Sequence, residues 1–168
     1  RRSWPGRIYP TTSYTKGING IIVDIADLPA GVEPLVDDFS FRVGNDDMPG
    51  DWASAPAPVE FDFDPTGGVD GAGRVTLVWE DYAIRNTWLE VTIAGDRLGL
   101  PADDVFYFGN AVGETGNVAG NTEVSTTDLL LARGNPHNFL DPAAIDDVYD
   151  FNRDSLVDTT DVLLARNN

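Results

Sequence analysis

The sequence predicts a mainly β chain with a small α tail: an antiparallel β-sandwich of immunoglobulin-like size, followed by two short helices that each emerge from a calcium-type loop. Three observations predict it. Short runs of alternating or β-branched and aromatic residues recur between Gly17 and Phe108. The stretch Asp150–Asp161 sets oxygen-bearing side chains at calcium-loop spacing. The string that ends this loop also occurs 33 residues upstream.

The strand runs come in order. Asn19–Ile25 is the first. In Asp38–Val43, Phe39, Phe41 and Val43 share one face. Val59–Phe63 alternates in the same way. Arg74–Trp79 and Thr87–Ile93 are β-branched and aromatic, and Val105–Phe108 closes the set. Turn clusters separate them: Leu28–Gly31, Asn45–Gly50, Pro65–Gly68 and Asp70–Gly73. A jelly roll or a partial barrel shares this pattern. After Phe108 the strand patterning stops. The expected organisation is 1–16 as an extension or edge strand, 17–103 as the β-sandwich, and 104–168 as the calcium-binding module.

Composition narrows the function. The 168 residues carry 28 acidic and 11 basic side chains, a net charge of −17. Such a chain repels nucleic acid and anionic membrane and attracts cations. There is no cysteine, so neither a disulfide framework nor a thiolate metal site is available. No apolar run approaches membrane-spanning length, so no membrane insertion is expected. The chain starts at Arg1 rather than Met, the expectation being a processed piece of a longer protein.

In Asp150–Asp161, places 1, 3, 5, 9 and 12 are Asp150, Asn152, Asp154, Asp158 and Asp161, and the Leu156 carbonyl takes place 7. Calcium needs several hard oxygens converging on one point, and a short loop supplies them only at fixed spacing. The bland alternative is a solvated acidic turn, with Asp158 or Thr159 capping the helix that follows. Val157–Asn168 aligns without a gap on Val124–Asn135, sharing Val-x-Thr-Thr-Asp-x-Leu-Leu-Ala-Arg. Upstream, Asp104–Asn110 echoes Asp147–Asn152, which matches Asn110 to Asn152 and Asn121 to Asp154. The first loop then carries an insertion from Ala111 to about Gly120. Its expected ligands are Asn110, Asn121, the Glu123 carbonyl, Ser125 and Asp128, with Glu114 or Asn117 folding back to add an oxygen. With fewer carboxylates, this loop is expected to bind calcium more weakly, or to hold its shape partly through hydrogen bonds.

These residues resemble the type I dockerin, the duplicated calcium module by which secreted bacterial proteins attach to cohesin domains. The resemblance covers about the last third of the chain. It implies two bound calcium ions, an immunoglobulin/cohesin-like sandwich ahead of the module, a secreted or cell-surface location, and a cohesin-like β-domain or neighbouring extracellular subunit as partner. It also implies that Thr126, Thr127, Thr159 and Thr160, with Arg133 and Arg166, form a twofold-repeated partner-binding surface. Capping is the bland reading of the threonines. Three departures stand out: Ser155 where a glycine is usual, the expanded first loop, and the short helices.

Leu129, Leu130, Leu131, Val162, Leu163 and Leu164 are expected to pack the helices together, with Phe139, Ile145, Val148 and Tyr149. Asp62, Asp64 and Asp70 read as an acidic hairpin tip rather than a further calcium site. Trp52, Trp79 and Trp88 read as core, with a polysaccharide-binding platform as the alternative. His137 stands alone, and no nucleophile elbow, P-loop or zinc-protease motif is present. The expectation is a secreted, non-enzymatic calcium-binding structural or docking protein.

Overall fold

The structure is a computed structural model that describes residues 10–46, 48–117 and 123–168. The chain is mainly β, with two sheets and a few short helices. Strands β1 Thr11–Thr12, β2 Gly20–Ile25, β3 Phe39–Gly44, β4 Ala53–Ser54, β5 Glu60–Asp64, β6 Gly73–Val78 and β7 Trp88–Ile93 lead to a short helix α1, Gly95–Leu98. Strand β8, Asp104–Asn110, follows, and helices α2 Thr126–Gly134 and α3 Thr159–Asn167 complete the fold. One sheet has the order β1-β8-β7-β3-β4 and the other β2-β6-β5. All pairings are antiparallel except β1 with β8, which is parallel.

Alternation explains the packing. In β2, Ile21, Val23 and Ile25 point inward while Ile22 and Asp24 point out. Val75 and Leu77 of β6 and Leu89, Val91 and Ile93 of β7 are fully or almost fully buried. Side chains from the two sheets share one core. Phe39 of β3 meets Phe61 of β5 edge-on, at 5.7 Å between ring centroids. Phe41 does the same with Trp79, at 5.2 Å. Trp79 is buried, so its indole N–H needs an acceptor, and it donates to the Pro56 carbonyl at 2.8 Å.

Strand β8 lies between β1 and β7, so the strand pattern runs past the expected 103/104 boundary to Asn110. The hydrogen-bond pattern of the β7–β8 ladder continues through Asp104–Phe108, which explains why those residues read as strand. Of the expected 1–16 extension, Thr11–Thr12 forms the outer strand beside β8. At the hairpin tip, Asp64 accepts from the Thr66 amide at 2.9 Å, which gives the acidic turn its local role.

Helices α2 and α3 repeat each other. Asp128 and Ala132 are buried in α2, as are Asp161 and Ala165 in α3. Ala132 and Ala165 cluster with Phe151, flanked by Leu129, Tyr149, Val162 and Leu164, all half-buried. The expectation that every leucine packs between the helices fails at Leu130 and Leu163, which are 55% and 43% exposed. A helix of nine residues buries one stripe, and these two positions lie off it. Phe139 and Ile145 are also outside the cluster, 83% and 85% exposed, because the connecting segment passes over the surface.

Candidate metal centre

The second loop begins with Asp150, which is 1% exposed, and ends with Asp161, which is fully buried. Asp150 accepts from the backbone amides of Asp154 at 3.2 Å and Ser155 at 2.9 Å. Asp161 accepts from Phe151 at 2.8 Å and from Asp158 at 3.0 Å. The chain therefore wraps its two end carboxylates in its own N–H groups, Asp150 in those of places 5 and 6 and Asp161 in those of places 2 and 9. Asn152 donates to Asp154 at 2.8 Å. Asp154 also accepts from the Leu156 amide, which brings place 7 into the same network.

Electrostatics adds a second point. Burial raises the Asp161 carboxyl above its ordinary value, against the amide hydrogen bonds from Asp158 and Phe151. The charges of Asp150 and Asp154 push it the same way as burial. Among the described residues no Lys or Arg side chain neutralises Asp150 or Asp161. Arg153, the closest cation in the sequence, donates instead to the carbonyls of Asp147 and Asp150.

No three His, Cys, Asp or Glu side chains among the described residues form a ready-made metal cage. Asp154 and Asp158 are exposed, and each turns an oxygen to a local amide. A calcium loop also draws on amide and backbone carbonyl oxygens, so Asn152 and the Leu156 carbonyl belong to the donor set. The residues present fit a hard, oxygen-seeking cation: two buried like charges, flanked by further oxygens, and no partner of opposite sign among the described residues.

No protein-family model, curated protein or solved structure matches this chain.

The geometry of the second loop redraws the first repeat. Asp128 is fully buried and occupies the place of Asp161. It accepts from the Ser125 amide, as Asp161 does from Asp158. It also accepts from the Thr115 amide at 3.1 Å, as Asp161 does from Phe151. Thr115 thus stands where Phe151 stands, and Glu114 takes the place of Asp150. Asn110, the expected first-loop ligand, is committed elsewhere. Its side chain donates to the carbonyls of Thr12 and Tyr14, at 3.1 and 2.9 Å, and accepts from the Asn86 amide at 2.8 Å. At 4% exposure, with both ends of its amide bonded, it ties strands together rather than facing the loop. The upstream echo had matched a strand residue to a loop residue. Asn121 lies outside the described residues. Glu123 is exposed, and Ser125 is the helix cap.

The caps lie beside the threonines, not on them. Ser125 and Asp158 are the N-caps of α2 and α3, accepting from Thr127 and Thr160, and Asp128 and Asp161 complete a capping box in each. Thr126, Thr127, Thr159 and Thr160 therefore stand in the first helical turns without capping them. All four are exposed, as are Arg133 and Arg166. Leu130 and Leu163 are exposed with them, a pair that sequence reasoning had assigned to the core.

Ser155, in the place where the resemblance implies glycine, has φ 68°. The loop needs the left-handed conformation there, and serine adopts it under strain.

Of the tryptophans, Trp79 is core, and Trp52 and Trp88 are half-buried. Trp52 donates to Asp46 at 2.8 Å and meets Tyr107 edge-on at 6.0 Å.

Proposed function

We propose that this chain is a non-enzymatic, calcium-binding structural and docking protein of a secreted or cell-surface setting. In this reading the two sheets form an immunoglobulin-like sandwich. Calcium held by Asp150, Asn152, Asp154, Leu156, Asp158 and Asp161 orders a dockerin-like helix pair beside it. The observation that carries the reading is the pair Asp150 and Asp161, both buried, both acidic, and without a cationic side chain for either among the described residues. A divalent cation neutralises that charge, and its binding free energy becomes folding free energy. The duplicated exposed surface, Thr126, Thr127, Leu130 and Arg133 with Thr159, Thr160, Leu163 and Arg166, supports protein attachment.

Thermal unfolding in calcium against chelator tests the metal. Calcium at about a hundred times its dissociation constant should add roughly 2.7 kcal/mol, and an unchanged melting temperature rejects the reading. Retention on an immobilised cohesin-type β-domain tests the partner, with loss expected when all four threonines are replaced.

A second reading is a building block of an extracellular assembly with no separate cohesin partner. The hydrogen bonds between tail and sheets favour it. Asn168 accepts from Asn86 at 2.9 Å and from Arg85 at 3.2 Å, and Thr15 donates to Phe151.

A further inference from the structure

We propose that the free edge of β2 pairs antiparallel with the same edge of a second copy of this chain, joining two three-stranded sheets into one of six strands about a twofold axis. This rests on neither the calcium reading nor a cohesin partner.

Each sheet has two edges, and an exposed edge invites pairing unless something blunts it. The larger sheet ends in β1 and β4, which are two residues long. On the smaller sheet, β5 turns Glu60, Asp62 and Asp64 to solvent. Strand β2 is six residues long, and its outward positions are Gly20, Ile22 and Asp24. Ile22 is 59% exposed. The one charge, on Asp24, is met by Arg74 in two hydrogen bonds of 2.8 and 2.9 Å. Shortness or charge protects the other edges, and β2 has neither.

The backbone of β2 has bonds to offer. Trp79 donates to the Asn19 carbonyl at 3.0 Å, and the ladder pairs Ile21 with Leu77, Val23 with Val75 and Ile25 with Gly73. Bonded pairs alternate along an antiparallel ladder, so Asn19, Ile21, Val23 and Ile25 face β6. The amides and carbonyls of Gly20, Ile22 and Asp24 point the other way, and no hydrogen bond among the described residues takes them up. A cavity of about 560 Å³ lies along this edge, lined by Gly20, Ile21 and Ile22 with Thr12, Tyr14 and Phe108. The larger sheet therefore leaves room beside β2.

The edge complements itself. With Ile22 opposite the partner's Ile22, Gly20 falls opposite the partner's Asp24, and all three residues with outward backbone groups bond in register. The two isoleucines then cover each other. No acidic side chain lies directly opposite another, and glycine leaves space for the Asp24–Arg74 pair. The net charge of −17 opposes association at long range, so the dimer should strengthen as salt is added.

Sedimentation velocity of the full chain over a range of concentrations, with I22K, tests the contact. The expected result is a wild type whose 18.2 kDa mass doubles as concentration rises, and an I22K variant that stays monomeric with wild-type circular dichroism. Amide exchange at Gly20, Ile22 and Asp24 should slow with concentration in the wild type, which a contact elsewhere on the surface would not cause. Should I22K not fold, that exchange decides alone. A wild type monomeric at every concentration overturns the proposal and leaves the edge to an extended segment of another protein. A dimer that survives I22K, or one whose Gly20, Ile22 and Asp24 amides exchange as fast as in the monomer, overturns it too.

Discussion

The Thr15 amide donates to the Phe151 carbonyl at 2.9 Å, which joins the segment after β1 to the second place of the acidic loop. The neighbouring amide of Phe151 itself donates to Asp161. One residue, Phe151, therefore links the candidate metal centre to the segment that follows the edge strand of the larger sheet. Ordering of the loop by calcium should reach that edge. Hydrogen–deuterium exchange is expected to slow at Thr15 and Phe151 when calcium is added, and equal exchange with chelator would refute the coupling.

Ser155 offers a stabilising substitution. Its φ of 68° suits glycine, and its amide bond to Asp150 does not use the side chain. Ser155→Gly should raise stability by roughly 0.5–1 kcal/mol and leave calcium stoichiometry unchanged. A lower melting temperature would show that the serine hydroxyl has a role of its own.

Asn110 should matter for stability and not for metal. Asn110→Ala removes three buried hydrogen bonds and leaves the Asn86 amide unpaired. A loss of about 1–3 kcal/mol is expected by chemical denaturation, with calcium stoichiometry unchanged. Loss of one bound ion in this variant would return Asn110 to the ligand set.

The pH dependence follows from Asp161 and Glu114, both raised above their ordinary values of 3.8 and 4.5, chiefly by burial. A raised carboxyl binds its proton more tightly in the folded state. Without metal, the stability these two contribute is present below those ordinary values and is lost as pH rises through the raised ones. Calcium competes with the Asp161 proton, so its affinity should climb across this window and level off above it. Titrations at about pH 4.5 and about pH 7 should show proton release at the lower pH and tighter binding at the higher. Affinity independent of pH would contradict the assignment.

Partner attachment has a distinct signature. Replacing Leu130 and Leu163 by Ser should leave melting nearly unchanged, because both are largely exposed, while weakening retention on a cohesin-type domain. A large loss of stability would mean that the leucines pack in solution.

Spacing and periodicity carried much of this. Alternation placed the cores of β2, β3, β5, β6 and β7 within a residue or so of their observed ends, because strand faces repeat every second residue and need no distant information. The duplicated Val-x-Thr-Thr-Asp string marked both helices, since capping and loop chemistry are local. What stayed hidden depends on contacts distant along the chain. Asn110 and Glu114 are four residues apart, and nothing in their neighbourhood says which belongs to the sheet and which to the loop. That was decided by Thr12, Tyr14 and Asn86 claiming the asparagine, and by Asp128 closing back on Thr115. Leu130 and Leu163 read as core by composition alone. Their exposure follows from how α2 meets α3, a packing geometry that an apolar run cannot encode.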